Sequence, residues 1–134
     1  MKSDIEFKKV EDIAIAIIPN RQEEGETEWQ AHLLNLKEKD IQSVLVNSRG
    51  YGEKDGKAVK TSVLRHFYEN IPSKAAVVIE LVPEQLFGLN NEFWVSFWCD
   101  DFMYDKKYVF VSEALVETNL TLVPIIEKQG VMIR

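Results

Sequence analysis

Every apolar stretch in this chain is short, rich in β-branched or aromatic residues, and cut off by proline, glycine or a charged cluster. An amphipathic helix needs an apolar stripe sustained over about ten residues or more, whereas a strand needs only about four to eight. The pattern therefore predicts strands almost throughout. Residues 10–18 put Ile13, Ile15 and Ile17 on one face and Ala14, Ala16 and Ile18 on the other, which reads as a strand buried on both sides. Pro19 and Asn20 end it. The charged residues 21–28, with Gly25 among them, read as a long hairpin loop.

Further strands are expected over residues 29–36, 41–48, 75–82, 93–99, 108–111, 120–126 and 131–133, eight in all. Residues 75–82 look like a central strand closed by Pro83, and residues 100–107 like a polar hairpin connection. Asp55-Gly56 is the expected tight turn of the glycine-rich segment 50–57. Residues 59–71 fit two periods. Val59, Thr61, Val63, Arg65 and Phe67 fall at strand spacing, while Val63, Leu64, Phe67, Tyr68 and Ile71 form a helical stripe. The stripe, with Thr61 or Ser62 as cap and Pro72 as stop, favours a short helix over residues 62–70.

The class is mainly β. The strand spacing favours an antiparallel β-sandwich with an immunoglobulin-like arrangement and one short helix. A single curved antiparallel sheet packed on that helix, an α+β fold, is the alternative. Residues 1–134 hold no linker, so one globular domain is expected.

Composition limits the function. The charge of −6 argues against nucleic-acid or acidic-membrane binding, but it is unevenly spread. Residues 49–66 carry five basic side chains and two acidic ones, a net +3, which leaves −9 on the remainder. No apolar run approaches a bilayer span, and the alternation of charge in residues 1–6 does not suit a signal peptide. Cys99 is the only cysteine, which excludes an intrachain disulfide and points to a reducing cytoplasm.

Chemical motifs are few. The glycines at 50, 52 and 56 fail the Walker spacing, because Tyr51 stands where its first glycine belongs and Ala58 where its Ser or Thr belongs. They fail the dinucleotide spacing at Asp55. Arg49, Lys54, Lys57, Lys60, Arg65 and His66 still make the segment a candidate for a small anion such as phosphate or a nucleotide. Ser62 and His66, on one helix face, lack the strained turn and oxyanion hole of a serine nucleophile. Asp100, Asp101 and Asp105 do not alternate as a calcium loop does, no Cys/His spacing suits zinc, and no cofactor is called for.

The aromatic strand supplies the other lead. Trp94 and Trp98 occupy the face that a half-wet strand would leave polar, so that face is either covered within the fold or meets a partner. The leading expectation is a non-enzymatic interaction or ligand-binding domain, forming a homodimer or docking a protein through sheet edges or Trp94 and Trp98. The alternative is an enzyme or anion-binding protein built on residues 49–66.

Overall fold

The computed structural model describes residues 8–134; the amino-terminal stretch read against a signal peptide lies outside the described residues. These residues form ten strands and two single-turn 3-10 helices. The strands are β1 (Ile13–Asn20), β2 (Glu28–Asn35), β3 (Ile41–Lys54), β4 (Lys57–Lys60) and β5 (Leu64–Ile71), followed by β6 (Ala75–Val82), β7 (Asn90–Cys99), β8 (Phe102–Phe110), β9 (Thr121–Val123) and β10 (Lys128–Ile133). Among the described residues no helix is long and apolar enough to cross a membrane.

Two antiparallel sheets pack together. Sheet one runs β6-β2-β1-β10-β9; sheet two runs β4-β3-β7-β8, with β5 paired to β3 beyond β4. The chain crosses between sheets from β2 to β3, from β5 to β6, from β6 to β7 and from β8 to β9. As a result β1, β2 and β6 oppose β3, β7 and β8, the connectivity expected of an immunoglobulin-like sandwich. Two features depart from it: β5 pairs with β3, and the β9–β10 hairpin extends sheet one past β1.

Alternation along each strand builds the core. Ile13, Ile15 and Ile17 from β1, Ala31 and Leu33 from β2, Val44 and Val46 from β3, and Phe93, Val95 and Phe97 from β7 meet between the sheets. The other face of β1 is equally buried. There Ala14, Ala16 and Ile18 pack with Leu34, Leu36 and Val123, against Ala76, Ile126 and Met132. Gly130 makes that closeness possible, since a Cβ there would stand 2.8 Å from Ile18 Cγ1 and 3.1 Å from the Ile17 carbonyl oxygen.

Buried polar groups tie the layers. The Tyr108 hydroxyl donates to the Ile13 carbonyl at 2.7 Å, and burial pushes its phenol well above the ordinary range. Asn35 Nδ2 donates to the carbonyls of Lys39 and Ile71, at 2.9 and 3.2 Å, fixing the β2–β3 turn to the end of β5.

Several expectations need correction. Residues 62–70 are not a helix: Leu64–Ile71 is strand β5, with His66 paired to Val46 and Phe67 to Leu45. A helix would have left the edge of β3 away from β7 unpaired from Ile41 to Ser48, and the strand period already present in Val63, Arg65 and Phe67 serves that ladder. Residues 75–82 form an edge strand among the described residues, where β6 pairs only with β2. The hairpin after β7 turns on Asp100-Asp101 alone, both at positive φ, with Cys99 opposite Phe102; the charged residues 105–107 belong to β8. Strand β3 continues through Gly50 and Gly52 to the Asp55-Gly56 turn, whose two positive φ angles (54° and 75°) suit a tight hairpin.

Candidate functional site

The outer face of sheet two is read from its register. Arg65, Asn47, Trp94 and Lys107 form one row across β5, β3, β7 and β8; Phe67, Leu45, Ser96 and Asp105 form the next. Trp98 stands between Gln42 and Met103 one row further, and Arg49 opposes Glu92 on the other side. Trp94 and Trp98 are 41% and 44% exposed, and Phe67 is 64% exposed. Val63 and Met103 are also exposed. Of the two readings open for the tryptophan face, cover by the rest of the fold does not occur among the described residues.

Polar groups hold the first tryptophan in place. Trp94 Nε1 donates to Asp105 Oδ1, the oxygen that also accepts from Ser96 Oγ at 2.9 Å. Lys107 Nζ lies 5.1 Å from the Trp94 ring centroid, within cation–π range.

Beside Trp94 a depression of about 260 Å³ is lined by Asn47, Arg49, Val63, Arg65, Glu92 and Trp94, with Ser48. Glu92 is only 4% exposed, an unusual state for a carboxylate. Its Oε2 accepts from Arg49 Nε at 3.0 Å and its Oε1 lies 3.9 Å from Lys107 Nζ. Oε1 of Glu92 and Oδ1 of Asn47 are buried without a hydrogen-bond partner. Two cations therefore compensate one buried anion, which leaves the rim positive.

A second depression of about 260 Å³ opens between the sheets, where the chain passes from β4 to β5 through Thr61 and Ser62. Ser48, Arg49 and Glu92 line both depressions. At this one Glu80 Oε1 accepts from Ser48 Oγ at 2.7 Å and from His66 Nε2 at 2.6 Å. Glu80 sits between serine and histidine, an order in which the histidine cannot take the serine proton. Next to it the Tyr68 hydroxyl donates to the Val78 carbonyl at 2.7 Å; burial, with Glu80 nearby, raises its phenol pKa. These contacts join β5 to the free edge of β6.

The residues singled out in sequence thus divide. Arg49, Arg65 and Trp94 come together at the first depression, and Trp98 shares their face. His66 points to the opposite face of β5, toward Glu80. Lys54 and Lys57 oppose each other at the β3–β4 hairpin tip, on the reverse face from Arg49; Lys60 opposes Tyr51 on Arg49's face. Among the described residues no group of three or more His, Cys, Asp and Glu side chains gathers where a metal ion could be held.

Glu92, Asn47, Phe67 and Val63 did not stand out in the sequence. The signal for the last two was present in the strand period of residues 59–67; Glu92 and Asn47 acquire meaning only from the β3–β7 register, which a single sequence does not specify. No family model matches the chain, and no curated protein matches it either.

Proposed function

We propose that the chain is a non-enzymatic recognition domain that docks a protein partner through the outer face of sheet two. The observation that carries this is the concentration of exposed aromatic side chains on one outer face. Sheet one buries Ala14, Ala16 and Ile18 on its outer face and exposes only the aliphatic Val78 and Leu81 of β6 beside them among the described residues. Sheet two leaves Val63, Phe67, Trp94, Trp98 and Met103 exposed together on one face. Exposed aromatic side chains interleaved with arginine and polar groups in this way have the composition of an interaction surface. A reducing cytoplasm is the compartment of this reading, supported by Cys99 as a buried free thiol.

The test is a peptide selection against the native domain, with selected peptides mapped by amide chemical-shift perturbation. Perturbations should concentrate on β3, β5, β7 and β8. Peptides that map instead to residues 21–27 or to the β9–β10 hairpin would refute the assignment.

A further inference from the structure

We propose that the depression beside Trp94 is the charge-reading subsite of this face, and that its occupant is an acidic segment of a partner protein. A carboxylate lies between the guanidinium groups of Arg49 and Arg65, and a neighbouring apolar side chain rests on Trp94 and Val63. The proposal deepens the docking reading of the same face and rests on it.

Arg49 and Arg65 differ in how they are held. Arg65 makes no ion pair among the described residues. Arg49 donates to Glu92 through Nε, its guanidinium lies 5.3 Å from the Tyr51 ring centroid, and its two terminal nitrogens have no hydrogen-bond partner among the described residues. Glu92, buried in a central strand, is therefore a positioning residue: it fixes the guanidinium plane while leaving its outer edge available for a bidentate carboxylate contact. A preorganised fork of this kind loses less side-chain entropy on binding than a free one.

Charge and size select the occupant. Around Trp94 three cations, Arg49, Arg65 and Lys107, meet two carboxylates, Glu92 and Asp105, in a chain whose remainder is strongly acidic. The patch is thus a positive spot that an acidic partner would find and a basic one would avoid. A volume of about 260 Å³ falls below the range of roughly 300–1,000 Å³ usual for small-molecule sites, which enclose most of their ligand. It suits one acidic side chain of a segment lying across the strands. A second copy of the chain fits less well. Its glutamate cluster, Glu23, Glu24 and Glu26 before β2 with Glu28 at its start, belongs to sheet one, so a closed dimer would have to seat each copy's sheet-one loop on the other's sheet-two face at the same time.

The test uses two capped hexapeptides, one alternating glutamate and phenylalanine and one with glutamine in place of glutamate, titrated calorimetrically into the full chain. The glutamate peptide should bind about tenfold more tightly at low salt, with the advantage shrinking in about 1 M salt. Arg65→Gln should remove that advantage and leave the glutamine peptide unaffected. Arg49→Lys, which keeps the charge beside Glu92 but loses the planar fork, should reduce it. Lys57→Gln, at the hairpin tip, should change nothing. Equal binding of both peptides, lost only in Trp98→Ala, overturns the subsite and leaves the docking face standing. Binding of neither peptide, or binding that Trp98→Ala does not touch, overturns the docking face itself. Displacement of the glutamate peptide by micromolar inorganic phosphate or adenosine monophosphate replaces the acidic segment with a small anion. A dimer by light scattering that Arg65→Gln dissolves replaces it with a second copy.

Discussion

Replacing Arg49 by glutamine leaves the carboxylate of Glu92, 4% exposed, without its hydrogen-bonded partner. Stranding one member of a buried ion pair costs about 3–5 kcal/mol. The lower end applies here, because Lys107 Nζ remains 3.9 Å from Glu92 Oε1 and Arg49 itself is partly exposed. Unfolding entropy is roughly 2.1 cal/mol/K per residue, which over 134 residues gives about 0.3 kcal/mol per degree. A loss of about 3 kcal/mol should then lower Tm by roughly 10 °C. The companion Glu92→Gln, which removes the charge and keeps a polar group, should cost only about 1 kcal/mol. Replacing both residues by methionine should return stability to within about 1 kcal/mol of the parent, since an apolar pair needs no compensation. Urea unfolding followed by circular dichroism, arranged as a double-mutant cycle, reads these values. An Arg49→Gln cost below about 1 kcal/mol, the range of a surface pair, would refute Glu92 as a buried anchor.

Three further outcomes follow from the fold. Gly130→Ala should destabilise by about 1–3 kcal/mol in urea unfolding, because its Cβ would meet Ile18 at 2.8 Å and the Ile17 carbonyl at 3.1 Å. Gly56→Ala should cost about 1–2 kcal/mol in the same assay through backbone strain alone, since φ is +75° and nothing lies within 4 Å of the added carbon. His32, whose Nδ1 meets the Gln30 carbonyl at 3.1 Å, has its pKa lowered from 6.5, chiefly by burial. The unfolded chain then binds the extra proton more readily, so His32's contribution to stability should be intact above pH 6.5 and fall as pH drops through the lower folded value. Thermal unfolding of the parent and His32→Gln at pH 7.5 and pH 5.5 checks it, and a parent that loses no more stability than the variant would contradict it.

Strand position and burial were readable wherever local chemistry left one choice. The isoleucine-alanine alternation of β1 specifies two buried faces, and both exist. Residues 75–82 match β6 residue for residue because Pro72 and Pro83 bracket a β-branched run. What could not be read was pairing. Val63, Leu64, Phe67, Tyr68 and Ile71 satisfy a helical stripe, and only the open ladder of β3 decides for a strand. The apolar character of β6 suggested a central position, whereas among the described residues it pairs with β2 alone and β5 contacts it from across the sandwich through Tyr68 and His66. The candidate site shows the same division. Arg49, Arg65 and Trp94 stood out by residue type, but their convergence depends on two registers, and Lys54 and Lys57, equally basic, fall on the reverse face.

The neighbours Phe97 and Trp98 put the account to its most direct test, because they sit on one strand and face opposite ways. Phe97 is fully buried and Trp98 is 44% exposed. Phe97→Ala should cost about 3–5 kcal/mol of folding stability. Trp98→Ala should cost about 1 kcal/mol or less while abolishing binding of peptides selected against the native domain. A core-sized loss of stability in Trp98→Ala, or a stable variant that still binds those peptides, would contradict the claim that this face exists for recognition.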